Sequence, residues 1–298
     1  MPELAHYYLA RVVKSGLVTP ASVIEAIREP VVVVRRRYSY TFTGISSDDA
    51  SSYIFGYLTK FIPAGEVDVV DPSKHSTGPE TVDNLQHAAS PFIYIPSEAV
   101  VAYQHVWNHL QREMFEEVFS SLVEEKHQRF FAECRLKPIS DLRTFVQRIA
   151  SMDKVLRIEA TVNPPNPLFG PLWDSLRKYM RERNVGQVSV TENAASTQGI
   201  TTHVPQVALG ALQIPTAHRE NLSAQVPGLA DAAVLMAADG YGKARVDGER
   251  NGAKVVVRTR ETQLHFLFAR RPDPAELYEL VSSIIRQLNK DRGLRHDD

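Results

Sequence analysis

The sequence predicts an α+β protein: a ferredoxin-like split β-α-β core, with a second smaller α+β part built on antiparallel strands. Two patterns carry this prediction. From residue 92 the apolar spacing alternates between periods of two and of three to four, in the order ββαβαβαβ, which suits split β-α-β packing. Near the C-terminus, residues 241–246 and 253–260 alternate around a turn-rich hexapeptide, residues 247–252, as the two strands of a hairpin do. The parts expected are an N-terminal α+β segment (1–90), the ferredoxin-like core (91–191), a linker or excursion (192–227) and the C-terminal part (228–298).

Element by element, residues 4–27 show a helical pattern. A long strand follows over 31–43, then an apolar segment over 53–62. Residues 71–83 are polar, contain two prolines and a glycine, and read as a loop. Residues 92–95 and 99–103 look like paired strands around Pro96-Ser97. Val106, Leu110, Met114, Val118 and Leu122 form the stripe of a long helix. A strand over 130–136 and a helix over 141–150 come next. In residues 155–162, Leu156, Ile158, Ala160 and Val162 point one way and Arg157, Glu159 and Thr161 the other, a strand with one buried face.

The corner Asn163-Pro164-Pro165-Asn166-Pro167 follows. Both asparagines precede a proline and are pushed out of the α region. Asn166 before Pro167 reads as a helix cap followed by a first position where a missing N–H costs nothing. Phe169, Leu172, Trp173, Leu176 and Met180 then define a helix whose other face carries Arg177, Lys178, Arg181 and Arg183. A short strand over 187–191 closes this part. Residues 192–227 have weak periodicity, with room for one short helix. After them come a small-residue helix (229–238), the hairpin, a strand (264–268) and a terminal helix (274–288).

Composition excludes several classes. The chain has 298 residues, 43% of them hydrophobic and 23% charged, with a net charge of −1. It is globular rather than disordered, and it is not basic all over. A single cysteine, Cys134, leaves no internal disulfide and no cysteine-based zinc cluster. Its place in a strand suits a buried structural thiol. No apolar run is long enough to cross a bilayer, and the N-terminus lacks a signal pattern, so a cytoplasmic protein without membrane contact is expected.

Few residues point to a reaction. His105, His109 and Glu113 fall at spacings of four on the expected long helix, without a third ligand of the right kind. Asp68, Asp71 and His75 lie in and just before the expected loop, where acids ordinarily form turns. Gly240-Tyr241-Gly242 lies after a helix and before a strand, the reverse of a dinucleotide fingerprint, and Gly240 suits a helix cap. No catalytic, metal or cofactor residue is assigned. A metal-dependent nuclease or RNA-processing enzyme, and a scaffold or inhibitor subunit, are the alternatives.

The basic strands are more informative. In 31–43, Arg35 and Arg37 share a face with Ser39, Thr41 and Thr43. In the C-terminal hairpin, Lys243, Arg245, Lys254, Arg258 and Arg260 point outward. Guanidinium groups beside hydroxyls suit phosphate backbones, since arginine makes paired contacts and serine or threonine adds neutral donors. These residues, with Arg177, Lys178 and Arg181, are the expected nucleic-acid-binding set.

The segment 163–170 with Trp173-Asp174-Ser175-Leu176, and the block 231–242 followed by 254–260, resemble a bacterial defence-associated protein family encoded near mobile elements. The layout is also similar to that of the phage lambda exclusion protein RexA. The resemblance implies DNA binding, an antiviral role in bacteria and a homodimer or other homo-oligomer; the interaction-subunit alternative adds a neighbouring defence effector as a partner.

Overall fold

The computed structural model describes residues 3–16, 18–128, 132–165, 168–213 and 228–296. It is an antiparallel α+β protein of two main sheets. The first thirteen residues of the expected opening helix form a strand instead: β1 runs Leu4–Gly16, and a helix, α1, follows at Pro20–Arg28. Tyr7, Leu9 and Val13 pack into one core cluster, and Ala10 and Val12 into another. A strand buried on both faces has no polar alternation, which is why its pattern reads as a helix. Thr19 caps α1 through a reciprocal box with Ser22.

The expected strand over 31–43 is a hairpin. β2 (Val33–Arg35) and β3 (Tyr38–Ser47) pair across a two-residue turn, Arg36-Arg37, with Arg36 at φ 56°. β4 (Ile54–Asp71) and β5 (Ser76–Ile95) then form a long antiparallel pair. Its outer part, including most of the expected loop 71–83, is a ribbon exposed on both faces at most positions. Without a buried face it has no hydrophobic period to read.

β6 (Val100–Gln104) completes the paired strands expected near residue 100. The long helix, α2, begins only at Arg112 and ends at Lys126. His105 and His109 therefore lie in a loop and share no helix face with Glu113. β7 (Ala132–Pro138), helix α3 (Leu142–Ala150, capped by Asp141) and β8 (Lys154–Val162) match expectation closely. The first sheet has the order β13-β1-β6-β5-β4-β3-β2, where β13 is His265–Ala269, with β7 also on β1. α1 and α2 cover one of its faces.

Asn166 and Pro167 lie outside the described residues. After them come a two-residue strand, β9 (Leu168–Phe169), a turn of 3-10 helix at Pro171–Trp173, and α4 (Asp174–Glu182). The helix thus starts seven residues later than the asparagine cap predicts. β10 (Val188–Asn193) follows, and α5 (Val204–Gln213) occupies part of the expected linker. α6 (Leu229–Met236) runs into a π-helical turn at Ala237–Tyr241, where Gly240 takes φ 89°.

β11 (Gly242–Arg250) and β12 (Ala253–Arg258) are joined by Asn251-Gly252, both at positive φ. The expected six-residue connection is a two-residue turn, because Asn-Gly takes the geometry that matches strand twist. β13 (His265–Ala269), α7 (Pro274–Arg292) and a short β14 (Arg295–His296) end the chain. The second sheet has the order β10-β8-β11-β12.

Residues 91–191 divide between the two sheets: β6 and β7 lie in the first, β8 and β10 in the second. A split β-α-β unit places its two strands parallel, whereas every strand pair among the described residues is antiparallel. No helix among the described residues is long and apolar enough to cross a membrane.

Candidate nucleic-acid interface

The inner face of the second sheet is apolar: Ile158, Ala160, Val162, Ala244 and Val246 are buried in the core it shares with α3 and α6. The period of two then sends Glu159, Thr161, Lys243 and Arg245 to the other face. The cross-strand partners there are Lys243 with Thr161, Arg245 with Glu159, Arg245 with Arg258, and Thr161 with Ser189. β7 of the first sheet faces this surface across a cleft of about 570 Å³. Lys137, Lys243, Arg245, Arg258 and Arg260 line it with Thr161, Ser189 and Thr191; Glu159 is the single acid in the lining.

The cations differ in how they are held. Arg245 makes two bonds to Asp247, at 2.7 and 2.8 Å. Arg258 pairs with Glu261 at 2.7 Å. Arg260 bonds the buried Glu116 and also meets Glu113 at 3.1 Å. Glu159 is taken by Arg157. Lys137 and Lys243 have no ion pair among the described residues. Burial lowers the Lys137 ammonium below the ordinary lysine value, and the nearby Lys243 charge lowers it further. Like charges directly opposed across a ladder, such as Arg245 and Arg258, are themselves unfavourable. The cleft is thus a concave surface with uncompensated positive charge and a row of hydroxyls.

Glu116 sits just behind Arg260. Burial raises its carboxyl pKa, while Arg260, the Tyr103 hydroxyl at 2.7 Å and Gln263 favour its charged form. It anchors Arg260 at the cleft's edge.

Four of the expected residues, Lys243, Arg245, Arg258 and Arg260, come together here. Arg260 does so from a 3-10 turn, Thr259–Thr262, rather than from the strand. The others lie elsewhere. Lys254 is exposed, opposite Glu249 in the hairpin. Arg35 reaches α2, bonding Ser121 at 2.7 Å and pairing with Glu117 at 3.0 Å. Arg37 sits in the hairpin turn against the Tyr38 ring and does not share a strand face with Arg35. Arg177 and Lys178 on α4 both pair with Asp174, at 2.9 and 2.8 Å, and Arg181 is exposed beyond them. None of the α4 residues lines the cleft.

Lys137 is the residue that sequence reasoning missed. It stands opposite Arg11 in the β1–β7 ladder. Its signal was present, a lysine in an otherwise apolar strand end, but its partners lie more than a hundred residues away. Among the described residues no group of three His, Cys, Asp or Glu side chains is placed to hold a metal. Asp68 and His75 belong to the β4–β5 ribbon and its turn, remote in the ladder from His105.

Fold and cleft together define a two-sheet antiparallel α+β protein with a basic groove between its sheets. The chain belongs to the DUF4747 family, a domain of unknown function, which it matches over residues 22–214. That span supplies Lys137, Thr161, Ser189 and Thr191 to the cleft; the residues after it supply Lys243, Arg245, Arg258 and Arg260. No curated protein matches the chain.

Proposed function

We propose that this protein binds nucleic acid, DNA in the first instance, through the cleft between β7 and the outer face of the second sheet, and that it does so without catalysing a reaction. The observation that carries the reading is the pair Lys137 and Lys243, which face one cleft without an acid partner among the described residues. A phosphate seated between them would relieve their mutual repulsion. Thr161, Ser189 and Thr191 offer neutral donors beside it.

A role in antiviral defence and a homodimer are proposed on the resemblance of residues 163–176 and 231–260 alone, and a neighbouring effector on the interaction-subunit alternative. Light scattering with and without the product of an adjacent gene tests the last two. The binding itself is tested by fluorescence anisotropy of labelled 20-mers, single- and double-stranded, at low salt. Saturable binding that the Lys137→Gln/Lys243→Gln variant loses supports the proposal. Flat curves for the wild type at 50 mM salt would sink it.

A further inference from the structure

A second surface adjoins the cleft. The loop between β6 and α2 is closed by paired backbone bonds between Val106 and Leu110, at 3.1 and 3.0 Å, with Asn108 at φ 61°. At its tip Trp107 is 72% exposed. The indole is braced edge-on by His105, with ring centres 4.6 Å apart. From there rings continue across the sheet: His105 to Tyr8 at 6.0 Å, Tyr8 to His265 at 5.5 Å, and His265 to His6 at 5.7 Å. His6 and His265 are exposed, as are Leu4 and Leu267 beside them. Both ring nitrogens of His105 are buried without a hydrogen-bond partner.

Trp107 is the largest apolar side chain left in solvent among the described residues, and its backbone is pinned. A contiguous exposed apolar and aromatic patch of this kind marks an interaction surface. The first turn of α2 connects it to the cleft. Arg112 lies over the Tyr8 ring at 4.9 Å, and its neighbour Glu113 pairs with the cleft residue Arg260 at 3.1 Å.

We infer that the exposed rings of Trp107 and His265, braced from beneath by His105 and Tyr8, are a stacking platform for the unpaired bases of a single-stranded nucleic acid whose phosphates lie in the cleft. The inference rests on the proposed function above and narrows it to single strands. A basic groove that follows the backbone beside aromatic rings that take the bases is how single strands are held without sequence preference. Arg112 has no ion pair among the described residues, and its place over the Tyr8 ring puts a positive charge where the strand would cross from the groove to the rings. A duplex keeps its bases paired and inaccessible to such rings.

Two tryptophans make the test direct. Trp173 is fully buried and bonded to Asp239, whereas Trp107 is exposed, so a ligand at the platform changes the emission of Trp107 alone. Full-length protein is titrated with unlabelled dT20, with the same length of duplex, and with inorganic polyphosphate, which carries charge but no bases. The expected result is quenching by dT20, none by polyphosphate although it competes for the cleft, and none by duplex. Trp107→Ala should weaken dT20 binding roughly 5- to 150-fold, the range for one lost base stack, and leave polyphosphate binding unchanged. The substitution is on an exposed loop tip, and an unaltered melting curve confirms the fold. Binding of dT20 without quenching, with Trp107→Ala as tight as wild type, overturns the platform while the cleft reading stands. Equal quenching by polyphosphate overturns it too, since the indole would then report charge rather than bases. Failure of all three polyanions to bind refutes the cleft reading and the platform with it.

Discussion

Removing the two lysine charges of the cleft is the most discriminating perturbation. Each phosphate that a protein neutralises on a single strand contributes about −0.7 to the slope of log affinity against log salt. Five cations line the cleft. If all five meet phosphates the slope is about −3.5, and raising salt from 50 to 200 mM weakens binding about 130-fold. If the arginines stay with Asp247, Glu261, Glu113 and Glu116, and only the lysines engage, the slope is about −1.4 and the loss about 7-fold. In both cases the Lys137→Gln/Lys243→Gln variant has a slope shallower by about 1.4. Anisotropy at 50, 100 and 200 mM salt measures this. Arg177→Gln/Lys178→Gln is the control: both side chains pair with Asp174 outside the cleft, so its slope should match the wild type. Parallel lines for the lysine variant and the wild type would place the phosphates outside this cleft.

Three further perturbations have clear signs. Asp239→Ala strips the acceptor from Arg292 and Trp173, each bonded at 2.7 Å; an unpaired buried guanidinium should cost about 3–5 kcal/mol by urea denaturation, and a loss under about 1 would count against the network. Gly242→Ala should cost about 1–3 kcal/mol in the same assay and weaken polyanion binding, since a Cβ there would lie 2.1 Å from the Thr161 carbonyl oxygen and push β11 from β8. Burial foremost, then nearby positive charge, lowers the pKa values of His87 and His105. The unfolded chain therefore binds more protons between those values and about 6.5, and stability is lost as pH falls below about 6.5. His87→Phe/His105→Phe should flatten the decline of urea midpoint between pH 7 and pH 5; an identical decline would show that other groups set it.

Elements with one buried face were legible in the sequence. α3 and β8 have nearly the expected bounds, and the β11–β12 hairpin is where its alternation puts it, with β11 running four residues further into the expected turn. Cys134 also sits where the strand pattern put it, fully buried in β7, its thiol pushed up to about 12 by burial. Two kinds of strand were not legible. β1 is buried on both sides, so its apolar positions fill helical spacings as well as alternating ones. The β4–β5 ribbon is exposed on both sides and has no apolar period at all. The site was half legible for a related reason. Lys243 and Arg245 alternate outward from a recognisable strand, which local pattern shows. That Lys137 faces them depends on the pairing of β7 with β1, which no local pattern contains.

That pairing also explains why the cleft keeps its shape. Its walls belong to different sheets, and a polar network lies between them. Arg11 of β1 is fully buried and donates to the Asp239 carbonyl at 3.0 Å and the Glu98 carbonyl at 2.9 Å, over the ring of Tyr241. The Asp239 carboxylate takes Trp173, from the turn before α4, and Arg292, from the last turn of α7. Arg292 also donates to the Ser140 carbonyl, just beyond β7. One residue, in a π-helical turn, thus ties both sheets and two helices together. Gly240 follows it because a side chain there would crowd Arg11 and Ile139 at 3.0 Å and strain a backbone at φ 89°. Two residues later β11 begins, and Lys243 is its second residue. On the other wall Lys137 stands opposite Arg11 in the ladder. The backbone positions of the two unpaired lysines are therefore tied to this buried network. If the cleft takes a polyanion as proposed, walls fixed by the core leave less ordering to be done when the ligand arrives.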